Sequence, residues 1–416
     1  MPVQSTPRTW LLTNATVLDP ESGDLTPDRR ILVVDGTIAE VGGKETTHRE
    51  APVVDLRGSV VLPGLIDAHV HVAAAEGDLA ALPGLSPSYA ALHAARALET
   101  MLYRGFTTVR DCGGADFGIA QAQHAGLLTG SQLRFGGKAL SQTGGHGDVR
   151  HRGDDSPDPG YCCPGFGRVC DGVSQCRAAA RDELRKGADH LKIVISGGVT
   201  SPTDRIDSTQ FSIEEITAVV EEATAANRYV AAHAYTPRAI ERGLRCGVRS
   251  IEHGNFLDDA TSRLFNETGS YLVPTLVTYS ALADVERAKS GPGNRNGKVF
   301  EVLDASLQGL ETAYRNGVQI AFGTDLLGAM QRHQLTEFRL RAEVVKPLDI
   351  IRSATSVAAR LLRAEDTLGR VAPGARADLL AVDGNPVEDI GILTAPEQHH
   401  RLLMLCGALV KRPSWT

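Results

Sequence analysis

The stretch "GLIDAHVHV", Gly64 to Val72, decides the fold. It is a short apolar run that carries histidine at positions 69 and 71. Side chains alternate across a strand, so His69 and His71 face the same way. On a strand lining a barrel that face is the interior, and two imidazoles near its end form a ready chelate for a divalent cation. A lone His-x-His is also met as two polar residues at a strand end, so the reading depends on the rest of the chain.

Beyond this strand, short apolar runs alternate with longer helical stretches. The candidate strands are Gly64–Val72, Thr107–Gly113, Gln132–Ser141, His190–Gly197, Tyr229–Tyr235, Ser250–Phe256, Tyr271–Thr278 and Gln319–Leu326. Helical patterns at Pro87–Tyr103, Ser174–Lys186, Ile213–Ala226 and Asp304–Arg315 separate them. Eight strands alternating with helices over about 260 residues is the rhythm of a (β/α)8 TIM barrel, an α/β architecture. A doubly wound open sheet alternates in the same way, and periodicity does not separate the two. The chain ends carry another pattern. Thr9–Leu18, "ILVVDGTIAEVGG" (31–43) with its Asp35-Gly36 turn and "VVDLRGSVVLPG" (53–64) read as strands, as do Ala377–Asn385 and Arg401–Arg412. They predict a small β-sandwich domain built from residues 1–62 and 362–416, with the barrel spanning 63–361. One connection, Gln142–Gly172, is rich in Gly, Asp and Pro and too long for a turn. As a structureless loop over the C-terminal mouth it would serve as a lid or substrate wall. Ala288–Lys298 is a similar, shorter excursion.

The chain has 416 residues, 42% hydrophobic and 22% charged, ordinary for a globular protein with a sizeable core. Its 43 basic and 50 acidic residues leave a net charge of −7 with no long run of either sign. This argues against binding nucleic acid or an anionic membrane surface. The apolar stretch Val60–Ala75 contains Pro63, Asp67, His69 and His71 and cannot cross a bilayer. Met1–Thr13 lacks the apolar core of a signal peptide, and seven cysteines, an odd number, fit reduced thiols in a cytoplasm. Cys162, Cys163, Cys170 and Cys176 cluster without the paired short spacings of a zinc motif. Cys112 and Cys246 read as small buried hydrophobes.

Further positions turn the histidine pair into a constellation. Lys192 lies inside "HLKIVISGG", His233 in "YVAAHAYT", His253 in "SIEHGNF" and Asp325 near the end of "QIAFGTDLLG". Each falls near the C-terminal end of a different candidate strand, where barrel enzymes assemble their reactive groups. Any one of them fits a satisfied core polar residue, but so many ligand-type side chains at one mouth are hard to reach by accident. Lys192 is the most informative. Burying a lysine is costly unless it is paired or neutralised, and deprotonating it at pH 7 costs about 4.6 kcal/mol. Addition of CO2 would make it a carbamate, an anion whose two oxygens can bridge two cations.

These motifs, with "LPGLIDAHVH" (62–71), resemble the amidohydrolase superfamily in its binuclear-metal subtype. More narrowly, "SQTGGHGD" (141–148), "SGGVTSPTD" (196–204), "STQFS" (208–212), "AAHAYTP" (231–237) and "IEHGNF" (251–256) are similar to one branch of it. That branch holds prolidase-like and Xaa-Arg dipeptidases and ochratoxin-hydrolysing enzymes and is related to imidazolonepropionases. The resemblance implies His69, His71 and Asp325 on one metal and His233 and His253 on the other, with carboxylated Lys192 and a hydroxide bridging them. Two divalent ions are expected, Zn2+ first by ligand type. Such ions, roughly 3.5–4 Å apart, activate water and polarise an amide carbonyl. Asp325 would take the proton and pass it to the leaving amine. The expected substrate is a small molecule, a dipeptide or N-acyl amino acid. His146 and Tyr235 are the candidates to hold its free carboxylate; Arg150 and Arg152 in the same loop read equally as further positive charge there or as surface arginines. Gly144-Gly145 and Gly197-Gly198 lack the spacing of a phosphate cradle and read as places where backbone approaches substrate. A homo-oligomer is implied as well. Cyclic-amide hydrolysis of the imidazolonepropionase type is the alternative. Those enzymes generally use one metal and lack the strand-four lysine, so Lys192 counts against it. A non-catalytic assembly protein on this fold would tend to have lost ligands, and here every position is filled.

Overall fold

A computed structural model describes residues 9–158, 164–290 and 297–411. Cys162, Cys163 and most of the Ala288–Lys298 excursion lie outside the described residues. The chain divides into two compact units. One comprises Met1–Asp67, Thr100–Thr108 and Val345–Thr416; the other comprises Ala68–Glu99 and Val109–Val344.

The N-terminal strands are β1 (Trp10–Leu18), β2 (Leu25–Val34), β3 (Thr37–Gly42), β4 (Val53–Asp55) and β5 (Val60–Pro63). Asp35 and Gly36 join β2 to β3 with φ of 50° and 84°, the left-handed pair that a tight hairpin turn needs. The barrel strands are β6 (Leu65–Val70), β7 (Phe106–Asp111), β8 (Gln132–Phe135), β9 (Ala139–Ser141) and β10 (Gly167–Val169). They continue as β11 (Leu191–Val194), β12 (Val230–Ala234), β13 (Ser250–His253), β14 (Tyr271–Val273) and β15 (Gln319–Ile320). The chain ends on β16 (Leu379–Val382), β17 (His400–Leu405) and β18 (Ala408–Lys411).

The terminal strands form one sheet in the order β18-β17-β16-β5-β1-β2-β3, with β4 on β1. Trp10, Leu12, Ile31 and Val61 from the start of the chain share a single core with Leu379, Ala381, Leu402 and Met404 from its end. This is the small β domain made by both termini.

In the other unit the order is β10-β9-β11-β12-β13-β14-β15, beside a second run β6-β7-β8. Backbone hydrogen bonds bridge both gaps. The Phe322 carbonyl accepts from Ala68 N at 2.7 Å, and the Phe135 carbonyl accepts from Asp189 N at 2.8 Å. The strands close on themselves into a barrel, which removes the open-sheet alternative. Helices α1 (Pro87–Tyr103), α2 (Phe117–His124), α3 (Gly172–Arg185) and α4 (Ile213–Ala225) alternate with the strands. So do α5 (Pro237–Arg245), α6 (Asp259–Thr268), α7 (Leu276–Ser290) and α8 (Lys298–Arg315). Ser212 and Glu215 start α4 with a reciprocal capping box. The outward residues of β11 and β12 (Leu191, Ile193, Val230 and Ala232) pack against Ala179, Ile216 and Ile240 of the helices. Alternation therefore turns Lys192, Ala231 and His233 into the lumen.

The structure departs from the sequence reading in four places, the first being Tyr271–Thr278, which is strand only at Tyr271–Val273 and enters α7 at Leu276. Gln132–Ser141 is two strands, because the chain breaks at Gly136-Gly137, where Gly137 has φ 72°. The Gln142–Gly172 connection is not structureless: it carries β10, paired parallel with β9. Gln319–Leu326 is strand only at Gln319–Ile320. Beyond β15 the chain approaches β6 closely, and a methyl on Gly323 would lie 2.3 Å from Val273 Cγ1 and 2.8 Å from His69 Cβ. Overpacking of this kind costs about 1–3 kcal/mol. Gly323→Ala is therefore expected to lower the midpoint of chemical denaturation, followed by circular dichroism, by an amount corresponding to that cost.

Candidate metal centre

His69 and His71 leave β6 side by side, and each is backed by an acceptor. His69 Nδ1 lies 2.7 Å from Glu252 Oε2, and His71 Nδ1 lies 2.8 Å from the Gly113 carbonyl. An ionised carboxylate and a carbonyl can only accept, so both rings carry hydrogen on Nδ1. Their Nε2 atoms meet 3.3 Å apart. Asp325 Oδ1 completes the group, 3.3 Å from His69 Nε2 and 3.0 Å from His71 Nε2. The ligand atoms of this trio all lie within 4.8 Å of one another, which suits a divalent cation. His233 donates from Nε2 to the Gly197 carbonyl at 3.0 Å, which leaves Nδ1 as its lone-pair nitrogen. His253 Nδ1 lies 2.8 Å from Thr275 Oγ1. The His233 and His253 ring centroids are 4.6 Å apart, and those of His69 and His253 are 5.2 Å apart. Lys192 is 1% exposed, and its Nζ finds no hydrogen-bond partner among the described residues.

All six side chains, with His146 and Tyr235, line one cleft of about 440 Å³. Phe166, Leu79, Leu282 and Leu327 give it apolar walls. Converging imidazole lone pairs, a carboxylate and an orphaned buried amine are a donor set that a pair of divalent cations fits. A second trio, His69, Cys112 and Glu252, is also close enough to bind a cation. Burial pushes the Cys112 thiol up to about 12, and Glu252 is already held by arginine, so it is the poorer set.

The electrostatics follow from burial. Desolvation opposes the charge on Asp325, but His69 and His71 beside it hold its carboxyl well below the usual range. Desolvation also opposes a proton on His71, yet the carboxylate of Asp325 outweighs it and raises the pKa. Burial, with help from neighbouring positive charge, holds His233 and His253 well below the ordinary histidine value. Burial also lowers the pKa of Lys192, which favours the neutral amine that reacts with CO2.

Two buried residues that pattern reading missed stand behind these ligands. Arg110 and Glu252 are both 0% exposed. Arg110 NH2 lies 2.8 and 2.9 Å from the two Glu252 oxygens, and Ser250 Oγ donates to Oε1 at 2.6 Å. Glu252 escapes the alternation rule for a physical reason. Residues 252 and 253 are consecutive, yet both side chains face the lumen, because His253 has φ 80°. Thr275 (φ 37°) and Asp325 (φ 53°) share this left-handed backbone, which non-glycine residues rarely adopt. Asp111 was also missed. It accepts from Val72 N at 2.7 Å and Gly113 N at 2.9 Å, tying the end of β6 to the loop that backs His71.

His146 stacks on His233, with ring centroids 4.4 Å apart. Its Nδ1 lies 2.9 Å from Ser201 Oγ, whose own proton goes to Asp204, and burial lowers its pKa to about 4. A Cβ on Gly198 would lie 2.1 Å from His146 Nδ1, so this glycine makes room for the histidine and not for substrate as the sequence suggested. Of the two readings of Arg150 the structure favours the structural one, because it is bound to Asp148 at 2.7 Å and to the Ser156 carbonyl at 3.0 Å. Arg152 is exposed. Cys246 is half-buried, not buried, while Cys170 and Cys176 are buried with their sulfurs 3.8 Å apart.

Residues 60–402 match the amidohydrolase family, and the chain belongs to it. It is a hydrolase of the prolidase and ochratoxinase branch, acting on amide or peptide bonds. One similar solved structure is an amidohydrolase, 47% identical with a TM-score of 0.94, covering 98% of this chain and 100% of that one. Another is a prolidase complexed with N-methylphosphonate-L-proline, 46% identical with a TM-score of 0.91, covering 97% and 100%. Ochratoxinase of Aspergillus niger is 30% identical over 92% of this chain and 83% of its own length. Among the described residues no helix is long and apolar enough to cross a membrane.

Two outcomes are expected of metal-free protein. Lys192→Met keeps the volume and removes an unpartnered buried amine, so the thermal midpoint should stay level or rise. Histidines whose folded pKa lies below 6.5, His146, His233 and His253 among them, take up protons first in the unfolded chain. Their contribution is present above pH 6.5 and is lost as pH falls below it, for His146 toward about 4. His71, with a raised pKa, works the other way. With His190 and His400 lowered as well, five histidines oppose one, and thermal midpoints measured across this window should fall with acidification.

Proposed function

We propose that this chain hydrolyses the amide bond of a dipeptide or N-acyl amino acid, using two divalent cations at the barrel mouth. The observation that carries the reading is the convergence of four imidazoles, Asp325 and the unpartnered Lys192 on one buried cleft. Likeness to a prolidase holding a phosphonate–proline ligand supports a substrate that ends in a free carboxylate.

His69, His71 and Asp325 would hold one cation and His233 and His253 the other, with Lys192, carboxylated by CO2, between them. When bound, the cations, Zn2+ first by donor type, supply Lewis acidity toward the amide carbonyl and acidify water. Asp325 is kept ionised by the imidazoles around it, so it can accept a proton from the attacking water. It then returns that proton to the departing nitrogen, which leaves poorly as an anion. Tyr235 accepts a hydrogen bond from Tyr279 at 3.3 Å, which leaves its own hydroxyl hydrogen free for the substrate carboxylate. His146 has Nδ1 committed to Ser201, and a carboxylate beside Nε2 would favour the second proton that lets it donate. The apolar walls keep bulk water from the reacting bond.

The test is a panel of dipeptides, N-acyl amino acids and their C-terminal amides, assayed with Zn2+ or Mn2+ and again after chelation. Hydrolysis is expected only of substrates with a free carboxylate and only with metal. Turnover of cyclic amides at one metal per chain would replace this reading with the imidazolonepropionase-like one. Asp325→Asn should cut kcat by about 10²–10⁴-fold with the circular dichroism spectrum unchanged.

A further inference from the structure

Each of the four candidate ligand imidazoles has a hydrogen-bond partner behind it, but the backing is unequal. His71 and His233 lean on the backbone carbonyls of Gly113 and Gly197, and His253 leans on a threonine hydroxyl. His69 alone of the four has its rear nitrogen hydrogen-bonded to a carboxylate, that of Glu252. That carboxylate cannot turn. Oε1 receives Arg110 NH2 and Ser250 Oγ; Oε2 receives Arg110 NH2 and His69 Nδ1. Arg110 is itself fixed by Ser250 Oγ at 3.0 Å and by the carbonyl of Ala68, the residue before His69.

A fully buried ion pair adds little stability over apolar residues of similar size, so stability alone does not explain it. Its geometry does. The guanidinium holds the carboxylate, and the carboxylate holds the ring with hydrogen on Nδ1 and the lone pair of Nε2 in the cleft. A charged acceptor behind an imidazole also makes that lone pair more basic and a better ligand. We propose that Glu252, clamped by Arg110, is a positioning residue that fixes the tautomer of His69 and so strengthens cation binding at the His69–His71–Asp325 half of the cleft. The cation part rests on the function proposed above; the tautomer part does not.

The test uses whole protein and two readouts. Removing Glu252 alone strands a buried Arg110, so the pair is replaced together as Arg110→Met/Glu252→Leu. Zn2+ titration against a chromophoric chelator should show one of the two sites weakened by about 10–100-fold and the other unchanged. Nitrogen NMR of metal-free, histidine-labelled protein under mildly alkaline conditions should find His69 as the Nδ1–H tautomer. In the double variant it should shift to a mixture. Equal affinities in a folded double variant, or Nε2–H at His69 in the unaltered protein, would overturn the proposal. Should the double variant not fold, Glu252→Asp keeps the charge pair but draws the carboxylate back from His69. It should weaken the same site and shift the same tautomer, and no change in either would overturn the proposal. If the unaltered protein binds no cation, the cation part falls with the function reading, and the His69 tautomer still decides the clamp.

Discussion

One carbonyl oxygen, that of His69, accepts the amide hydrogens of Thr324 at 3.1 Å and Asp325 at 2.8 Å. On this contact the rest of the site depends. It joins the last strand segment to the first, and it sets the Asp325 carboxylate beside the two imidazoles of β6. Slipping the pairing by one residue would turn every side chain of the strand to its other face. The barrel therefore closes in register or the trio does not assemble.

Closure brings a cost. The helix-facing side of the strands is apolar, but the lumen beneath the mouth holds arginine, glutamate, aspartate, lysine and several histidines. In low dielectric each needs partners. The chain satisfies them one at a time: Arg110 with Glu252 and Ser250, Asp111 with three backbone amides, the imidazoles with a carboxylate, two carbonyls and a hydroxyl. Two lumen groups among the described residues stay outside this network, the ring nitrogens of His190 and the amine of Lys192, and of the two only Lys192 lines the cleft.

Much of this was legible in the sequence, for reasons that can be named. The shared facing of His69 with His71, and of His233 with Tyr235, follows from alternation along β6 and β12. The terminal β domain and the strand–helix rhythm were legible from hydrophobic pattern. Closure was not, since an open sheet has the same period and only the backbone contacts of Ala68 and Asp189 distinguish them. Glu252 was hidden because it adjoins His253, and alternation forbids two neighbours from facing one way. Arg110 was hidden because a mid-strand arginine announces no partner until the fold supplies Glu252. The strand at Gln319 was overdrawn because the apolar pattern runs on past Ile320, where pairing with β14 ends, and pattern does not encode where pairing stops.

The left-handed backbone of the site has a consequence for anyone reshaping this scaffold. Residues 253, 275 and 325 hold φ values that glycine adopts freely and other residues do not. Glycine at these places would relax the backbone and delete side chains that line or brace the cleft. Robustness and reactivity are thus opposed at the same three positions. Selection for a hardier protein, applied without selection for turnover, would be expected to erode the mouth of the barrel before its walls.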